Sequence, residues 1–291
     1  MGFDLQILRY VLDAKRSGAD FSRAATLGRQ NLHVERSTFA REANRFGMPE
    51  LAARSEEVFA SYPYVDNLMR LLGADIPASI DASAYEGATH IFDMNLQAPE
   101  ALRGAFTLVI DGGTLEHVFD FPRAVRNVAA MTSVGGSFLS INGCNNFMGH
   151  GFYQFSPELF FRVFSSENGF DIESLIVSEV NDDAIWYDVT DPAIMKSRVE
   201  LVNNARTYLM MRCKKVSLVE PFQTIPQQSD YQEQNWLRPE EMMLDQGFLK
   251  RPFHQRLVER YFPRPARLAL RRLSQATRHH FSSSAYAPRR L

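Results

Sequence analysis

Strand-like and helix-like segments alternate between about residue 20 and residue 180, and this alternation constrains the fold more than any other feature of the chain. Apolar, β-rich runs predict strands, and a helical spacing of apolar residues predicts the helices between them. The predicted strands cover residues 24–28, 78–81, 88–95, 106–113, 137–142, 170–180 and 205–216. The predicted helices cover residues 3–16, 35–46, 49–61, 64–73, 121–133 and 156–169. Such alternation is typical of an α/β, doubly wound, mostly parallel seven-stranded sheet with helices on both faces.

Polar residues or glycines stand where five of the predicted strands end. They are Gly28, Asp81, Asp93, Asp111 and Asn142. The carboxyl ends of parallel strands meet at one edge of the sheet, where ligands of such folds bind. A row of acids and small residues at this edge suits a cationic ligand rich in hydroxyl groups.

Residues 106–142, "FTLVIDGGTLEHVFDFPRAVRNVAAMTSVGGSFLSIN", carry a longer pattern. A strand ends in an acid, a Leu-Glu-His-hydrophobic step (Leu115 to Val118) follows, and a helix leads through Gly135-Gly136 into the next strand. This pattern resembles the second half of class I S-adenosyl-L-methionine (SAM)-dependent methyltransferases of the type 11 group. Ser133-Val134 replaces the family's usual Lys-Pro before the glycines. The resemblance spans roughly residues 20–216 and implies a Rossmann-like fold and SAM as the cofactor.

The resemblance also implies roles for residues at the strand ends. Asp81 would accept hydrogen bonds from the ribose hydroxyls of SAM, and Asp93, with Met94 beside it, would hold the adenine. Gly112 and Gly113 would let the backbone approach the methionine end. The full set of expected cofactor-binding residues is Gly28, Arg29, Gln30, Asp81, Asp93, Met94, Asp111, Gly112, Gly113 and Glu116. The alternatives are plainer: both acids could form Asx turns, the glycines a tight turn, and Glu116 and His117 could cap and pack the next helix.

The turn after the first predicted strand, "TLGRQNLHV", departs from the family pattern. It keeps Gly28 but lacks the acid and the second glycine that usually cradle SAM. Two interpretations follow. Arg29 or Gln30 contacts the carboxylate of SAM in a variant site, or SAM binding is lost and the domain is a catalytically silent scaffold that binds a partner.

The acceptor of the methyl group is expected beside the loop 142–158, "NGCNNFMGHGFYQFSPE". Methyl transfer requires a positioned acceptor and often the removal of one proton. We predict His150 as the base and Tyr153 as the orienting residue; the alternative is that His150 is one polar residue of a flexible loop. Aromatic side chains mixed with Asn and Gln favour O-methylation of a small molecule or a sugar or polysaccharide precursor. We find no ligand spacing for a metal.

Charge is unevenly distributed along the chain. Residues 250–291 hold 11 Lys or Arg and one acid, whereas the first 249 residues hold 21 Lys or Arg against 33 acids. We therefore divide the chain into a methyltransferase-like domain (1–216), a linker or strap (217–249) and a basic tail with a helix (250–291). The tail is expected to dock on the acidic body or an acidic protein partner, to lie on an anionic membrane, or to remain solvated, with its last ten residues disordered. The distance in sequence between these basic residues and the site argues against a nucleic-acid substrate.

The remaining composition bounds the compartment. Two cysteines in 291 residues suggest a reducing, cytoplasmic environment. The amino-terminal residues lack the basic start and apolar region of a secretion signal. No apolar run approaches the ~18 residues that a membrane helix requires.

Overall fold

The computed structural model describes residues 2–182, 185–195, 198–232 and 285–289. Its strands are β1 Gly2–Phe3, β2 Ala24–Leu27, β3 Asn31–Leu32, β4 Ala78–Asp81, β5 His90–Ile91, β6 Phe106–Gly112, β7 Thr132–Asn145, β8 Phe170–Glu179, β9 Trp186–Val189, β10 Thr207–Lys215 and β11 Tyr286–Arg289. Its helices are α1 Leu5–Arg16, α2 Arg36–Arg45, α3 Pro49–Ala53, α4 Ser55–Phe59, α5 Asp66–Leu71, α6 Phe121–Met131, α7 Pro157–Val163, α8 Pro192–Met195 and α9 Ser229–Gln232. Short 3₁₀ helices cover Glu100–Leu102, Leu115–His117 and Ser166–Asn168.

The main sheet has the order β11-β9-β8-β10-β7-β6-β2-β4-β5. The five strands from β5 to β7 pair in parallel, while β10 runs antiparallel between β7 and β8. The chain starts at β2, moves outward through β4 and β5, and then crosses back to β6 and β7. The order therefore reverses between β2 and β6, which is where a doubly wound sheet binds its ligands.

Helices cover both faces of the sheet, as the sequence predicts. Successive residues of β6 point to opposite sides, so Leu108 and Ile110 pack in one core and Val109 in the other. Helices α1, α2 and α5 lie on the first side, where Leu8, Phe39 and Leu68 are fully buried. Helices α6 and α7 lie on the second side. The predicted Rossmann-like fold is confirmed by this sheet order and layering.

The prediction of seven strands is too low, because the sheet continues past β8. All seven predicted strands are present, and β9 and β11 add two antiparallel strands at that edge. The disorder expected for the last ten residues is also wrong for Tyr286–Arg289, which form β11. The predicted tail helix and most of the predicted linker lie outside the described residues, and the domain boundaries stay predictions.

No helix within the described ranges is both long and apolar enough to cross a membrane.

Candidate functional site

The turn after β2 lies at the reversal of the sheet order. Gly28 has a left-handed φ of 72°, which favours glycine. Its amide donates to the Ile80 carbonyl at 2.6 Å, and its carbonyl accepts from the Thr26 hydroxyl at 2.8 Å. These bonds tie the turn to β2 and β4.

The Arg29 side chain joins two surface loops. Its guanidinium lies 4.1 Å from the centroid of the Tyr64 ring, donates to the Glu86 carbonyl at 2.8 Å and stands 3.4 Å from an Asp66 carboxylate oxygen. The guanidinium of Arg29 therefore already has partners within the protein. A role for Arg29 in binding SAM stays a prediction.

Gln30 points into the protein and is only 1% exposed. Its amide nitrogen donates to the Leu27 carbonyl at 2.6 Å. Its Oε1 is buried with no hydrogen-bond partner among the described residues. A Cβ placed on Gly112 would lie 3.1 Å from that oxygen, so glycine at 112 allows the close approach.

Asp111 is the residue before the last of β6, a strand buried along its whole length, and its side chain is fully enclosed. Its Oδ1 accepts from the backbone amides of Thr114 (2.8 Å) and Leu115 (3.2 Å). Its Oδ2 accepts from Ser140 Oγ (3.0 Å) and Asn142 Nδ2 (2.6 Å). Burial raises the pKa of Asp111, and these donors oppose the rise. Asp111 therefore organises the strand ends, and a direct contact with a cofactor stays a prediction.

Glu116 lies on the 3₁₀ helix that follows β6, and it is buried. Its Oε2 has no hydrogen-bond partner within the described part of the chain, and its Oε1 lies 3.6 Å from His150 Nε2. Burial, and then the negative charge of Asp111, raise the pKa of Glu116 to about 8. The carboxyl group therefore stands where a cation or a proton would be stabilised.

Two exposed histidines accompany Glu116. The rings of His117 and His150 meet edge to face with centroids 5.1 Å apart, and the Phe147 ring lies 5.6 Å from that of His150. Partial burial and the neighbouring His150 lower the pKa of His117. The Tyr153 hydroxyl, predicted to orient the acceptor, donates to the Phe119 carbonyl at 2.6 Å.

Asp81 and Asp93 stand at the ends of β4 and just after β5, and both are partly exposed. Each closes an Asx turn through Oδ1, which accepts from the Ser83 amide and the Asn95 amide respectively, both at 2.9 Å. Their Oδ2 atoms have no hydrogen-bond partner among residues that the structure describes. Met94 is buried in the core. The turns and the predicted ligand roles are compatible, and the ligand roles stay predictions.

Sequence reasoning missed three features of this site. The Gln30 side chain turns inward, the Asn142 Oδ1 is buried with no hydrogen-bond partner among the described residues, and Glu116 approaches His150. The available signal was Gly151, because a Cβ there would lie 2.7 Å from the Glu116 carbonyl oxygen.

No family profile matches the sequence, and no curated protein matches it. Solved structures resemble it at low identity. A candidate methyltransferase from Bacillus halodurans is 11% identical with a TM-score of 0.44, and the alignment covers 74% of this chain and 100% of that one. The 1,6-didemethyltoxoflavin-N1-methyltransferase of Burkholderia thailandensis is 11% identical with a TM-score of 0.38, over 72% and 77%. The branched-chain polyamine synthase of Thermus thermophilus is 15% identical with a TM-score of 0.37, and this chain spans 56% of its length. Likeness at this level does not bear on activity.

Proposed function

We propose that this protein binds SAM at the carboxyl edge of the sheet and transfers its methyl group to a hydroxyl oxygen of a small molecule. The carrying observation is a set of buried oxygen atoms without partners in the described part of the chain. They are Gln30 Oε1, Asn142 Oδ1 and Glu116 Oε2. A buried hydrogen-bond acceptor costs free energy unless a donor reaches it. Gln30 follows β2, Glu116 follows β6 and Asn142 lies on the adjacent β7, so all three belong to the strands at or next to the reversal of the strand order.

The chemistry of these groups fits SAM. Its sulfonium and ammonium are cationic, so the acceptors at Gln30, Asn142 and Glu116 suit its methionine end. The Oδ2 of Asp81 would accept from the ribose hydroxyls, and that of Asp93 from the adenine amino group. Gly113 has a left-handed φ of 87°, which favours glycine, whereas the space over Gly112 is occupied by the Gln30 side chain, which would have to move for SAM to approach there.

When bound, SAM supplies an electrophilic methyl group and leaves as S-adenosylhomocysteine. The protein must place the acceptor and take up its proton. His150 is a half-exposed residue of the loop 142–158 and would receive that proton on an imidazole nitrogen. Glu116 Oε1, at 3.6 Å, would stabilise the imidazolium that forms.

The acceptor is best argued from the exposed aromatic rings near this site. Phe119 and Phe152 are 71% and 67% exposed and meet edge to face at 5.7 Å. By contrast, Asn146 is bonded to Asn203, and Gln154 accepts from the Phe147 amide. The amides thus hold the loop, and the rings offer a platform for a ring-shaped acceptor such as a sugar.

The second candidate is a catalytically silent scaffold. It is favoured by the crowding over Gly112, where a Cβ would lie 3.3 Å from Phe3 Cε1 as well as 3.1 Å from Gln30 Oε1. In that case the basic tail would supply the contact with an acidic partner, and the site would bind no cofactor.

Calorimetric titration with SAM and S-adenosylhomocysteine separates the two candidates. Asp81→Ala removes a charged acceptor worth ~1.5–3 kcal/mol, so we expect affinity to fall at least tenfold. Asp75→Ala is the matched control, because Asp75 is an exposed acid before β4, at the opposite edge of the sheet. Absence of binding to the folded wild-type protein would reject the methyltransferase. Equal affinities of the two variants would reject the role of Asp81.

A further inference from the structure

We infer that Glu116, His117 and His150 form a binding site for a divalent transition-metal ion, with Zn²⁺ the best-suited ion. The sequence pattern points to other roles for these three residues and contains no ligand spacing for a metal. Binding of the ion is independent of the proposed function, whereas its use in catalysis rests on that function.

The three side chains already lie close to a coordinating geometry. Their candidate ligand atoms all lie within 4.8 Å of one another, and Glu116 Oε1 stands 3.6 Å from His150 Nε2. Ligands about 2.0–2.1 Å from a tetrahedral zinc ion are about 3.3 Å apart. Small rotations of the two exposed imidazoles would therefore complete the site.

The backbone holds the two halves of the site together. The carbonyl of Glu116 accepts from the amides of Phe152 (2.7 Å) and Tyr153 (3.2 Å). Gly151 permits this approach because it has a φ of 76° and no Cβ. The His150 amide donates to the Phe147 carbonyl at 2.9 Å, which fixes the turn that carries the imidazole.

The charges around the site call for a cation. Glu116 is buried, one of its oxygens has no partner among the described residues, and the negative charge of Asp111 acts on it. No Lys or Arg within the described ranges bonds to its carboxylate. The Arg206 guanidinium, on the neighbouring loop, lies over the Phe147 ring at 5.6 Å. Asp4, which accepts from Tyr208 at 2.9 Å, adds a further negative charge on this side.

The donor set determines the class of ion. Two imidazoles and one carboxylate suit Zn²⁺ and related transition metals, whereas Mg²⁺ and Ca²⁺ prefer oxygen ligands only. Three protein ligands leave a coordination position for another molecule, as catalytic zinc sites do. An acceptor hydroxyl bound there would lose its proton more easily to bulk water, and its oxygen would be held as a nucleophile. His150 would then be a ligand and not the base.

Calorimetric titration of the metal-stripped full-length protein with Zn²⁺ tests the inference. The absorption spectrum of the protein with bound Co²⁺ reports the geometry of the ligands. We expect one site per chain, with His117→Ala and His150→Ala each weakening it at least tenfold. His33→Ala is the matched control, because His33 is exposed and lies outside the cluster. Mg²⁺ should not compete.

Two outcomes would overturn the inference. One is the absence of a stoichiometric site in the folded protein. The other is a zinc affinity that both His117→Ala and His150→Ala retain, or that falls only when His279 and His280 of the basic tail are replaced. Titration with S-adenosylhomocysteine in the presence of chelator keeps the proposals apart. Cofactor binding without zinc binding rejects the metal site alone, and zinc binding without cofactor binding rejects the methyltransferase alone.

Discussion

Replacing Asp111 with Ala should destabilise the protein more than any other single change at this site. The carboxylate accepts from four donors: two backbone amides at the start of the 3₁₀ turn that follows β6, and two side chains of β7. Asp111→Ala would remove the acceptor of the buried Leu115 amide and one acceptor of the half-buried Thr114 amide. It would also remove the acceptor of the Ser140 hydroxyl, which would keep only the bond that Asn142 Nδ2 donates to Ser140 Oγ at 2.6 Å.

The size of the effect follows from the three donors that lose the carboxylate as an acceptor. A buried donor that loses its acceptor costs ~1–3 kcal/mol, so the loss for two amides and one hydroxyl gives ~3–5 kcal/mol after partial rearrangement. The cost of burying the Asp111 carboxylate offsets part of this loss, because burial already raises its pKa. Ser140→Ala removes one donor to Asp111 and one of the two acceptors of Asn142 Nδ2, which keeps Asp111, and should cost ~1 kcal/mol. Asp111→Asn keeps an oxygen for the two amides and should fall between them.

Urea unfolding at neutral pH, followed by far-ultraviolet circular dichroism, measures these differences. Asp75→Ala serves as the control, since it removes an exposed acid from the opposite edge of the sheet. We expect the unfolding free energy to decrease in the order Asp75→Ala, Ser140→Ala, Asp111→Asn, Asp111→Ala. If Asp111→Ala unfolds at the wild-type urea concentration, the carboxylate does not organise these strand ends.

Two further changes probe the neighbouring residues. With a chelator present to keep metal from the site, the Glu116→Gln variant should be more stable than the wild type at pH 8.5 but not at pH 4.5. The reason is that folding raises the pKa of the Glu116 carboxyl from 4.5 to about 8. The folded wild type keeps a proton there that the unfolded chain has lost, so its stability falls as pH rises through this window. Parallel pH profiles in urea unfolding would contradict this, and the exposed Glu167→Gln is the control. Gly151→Ala should weaken zinc binding more than tenfold, because the new Cβ meets the Glu116 carbonyl at 2.7 Å. Gly149→Ala shares the positive φ (82°) but meets nothing within 4 Å, so equal affinities of the two variants would contradict the steric argument.

The central strands could be predicted from the sequence because local patterns determine them. The apolar run of β6 was predicted at 106–113 and lies at Phe106–Gly112. Segment 49–61 was predicted as one helix, but a break at Arg54 separates α3 from α4. Strands β9 and β11 were missed because each has only four residues, and because β11 pairs with a segment about a hundred positions away in sequence. Such pairing depends on tertiary contacts that a local pattern does not contain.

The residues of the candidate site also differ in whether a local sequence pattern or a tertiary contact determines their positions. The alternation of strands and helices places Asp81, Asp93 and Asp111 at one edge without any knowledge of side-chain positions. The approach of His150 to Glu116 depends instead on the path of a loop, and hence on Gly151. The Gln30 side chain can turn inward because Gly112, at the end of β6, has no Cβ. Such contacts join distant parts of the chain. The sequence therefore predicted that polar residues meet at one edge of the sheet, but it did not predict the cluster of Glu116, His117 and His150.

The last prediction concerns the carboxyl-terminal strand. Tyr286 of β11 is buried, and β11 pairs with β9 from Trp186 to Val189. Arg289 lies 2.7 Å from an Asp188 oxygen and 3.8 Å from Asp13. A chain truncated after Gln246 should therefore melt several degrees lower, since burial of an aromatic side chain contributes ~1.5–3 kcal/mol.

Salt separates the two contributions to this docking. Exposed ion pairs contribute ~0–1 kcal/mol and are screened, whereas apolar burial and strand hydrogen bonds are not. Added salt should thus narrow the difference in melting temperature only slightly, and Arg289→Gln in the full-length chain should reproduce the narrow, salt-sensitive part. A truncated protein that melts like the full chain at low salt would show that β11 contributes nothing to stability. A difference that vanishes in high salt would assign the docking to charge alone, against the strand pairing and the buried Tyr286.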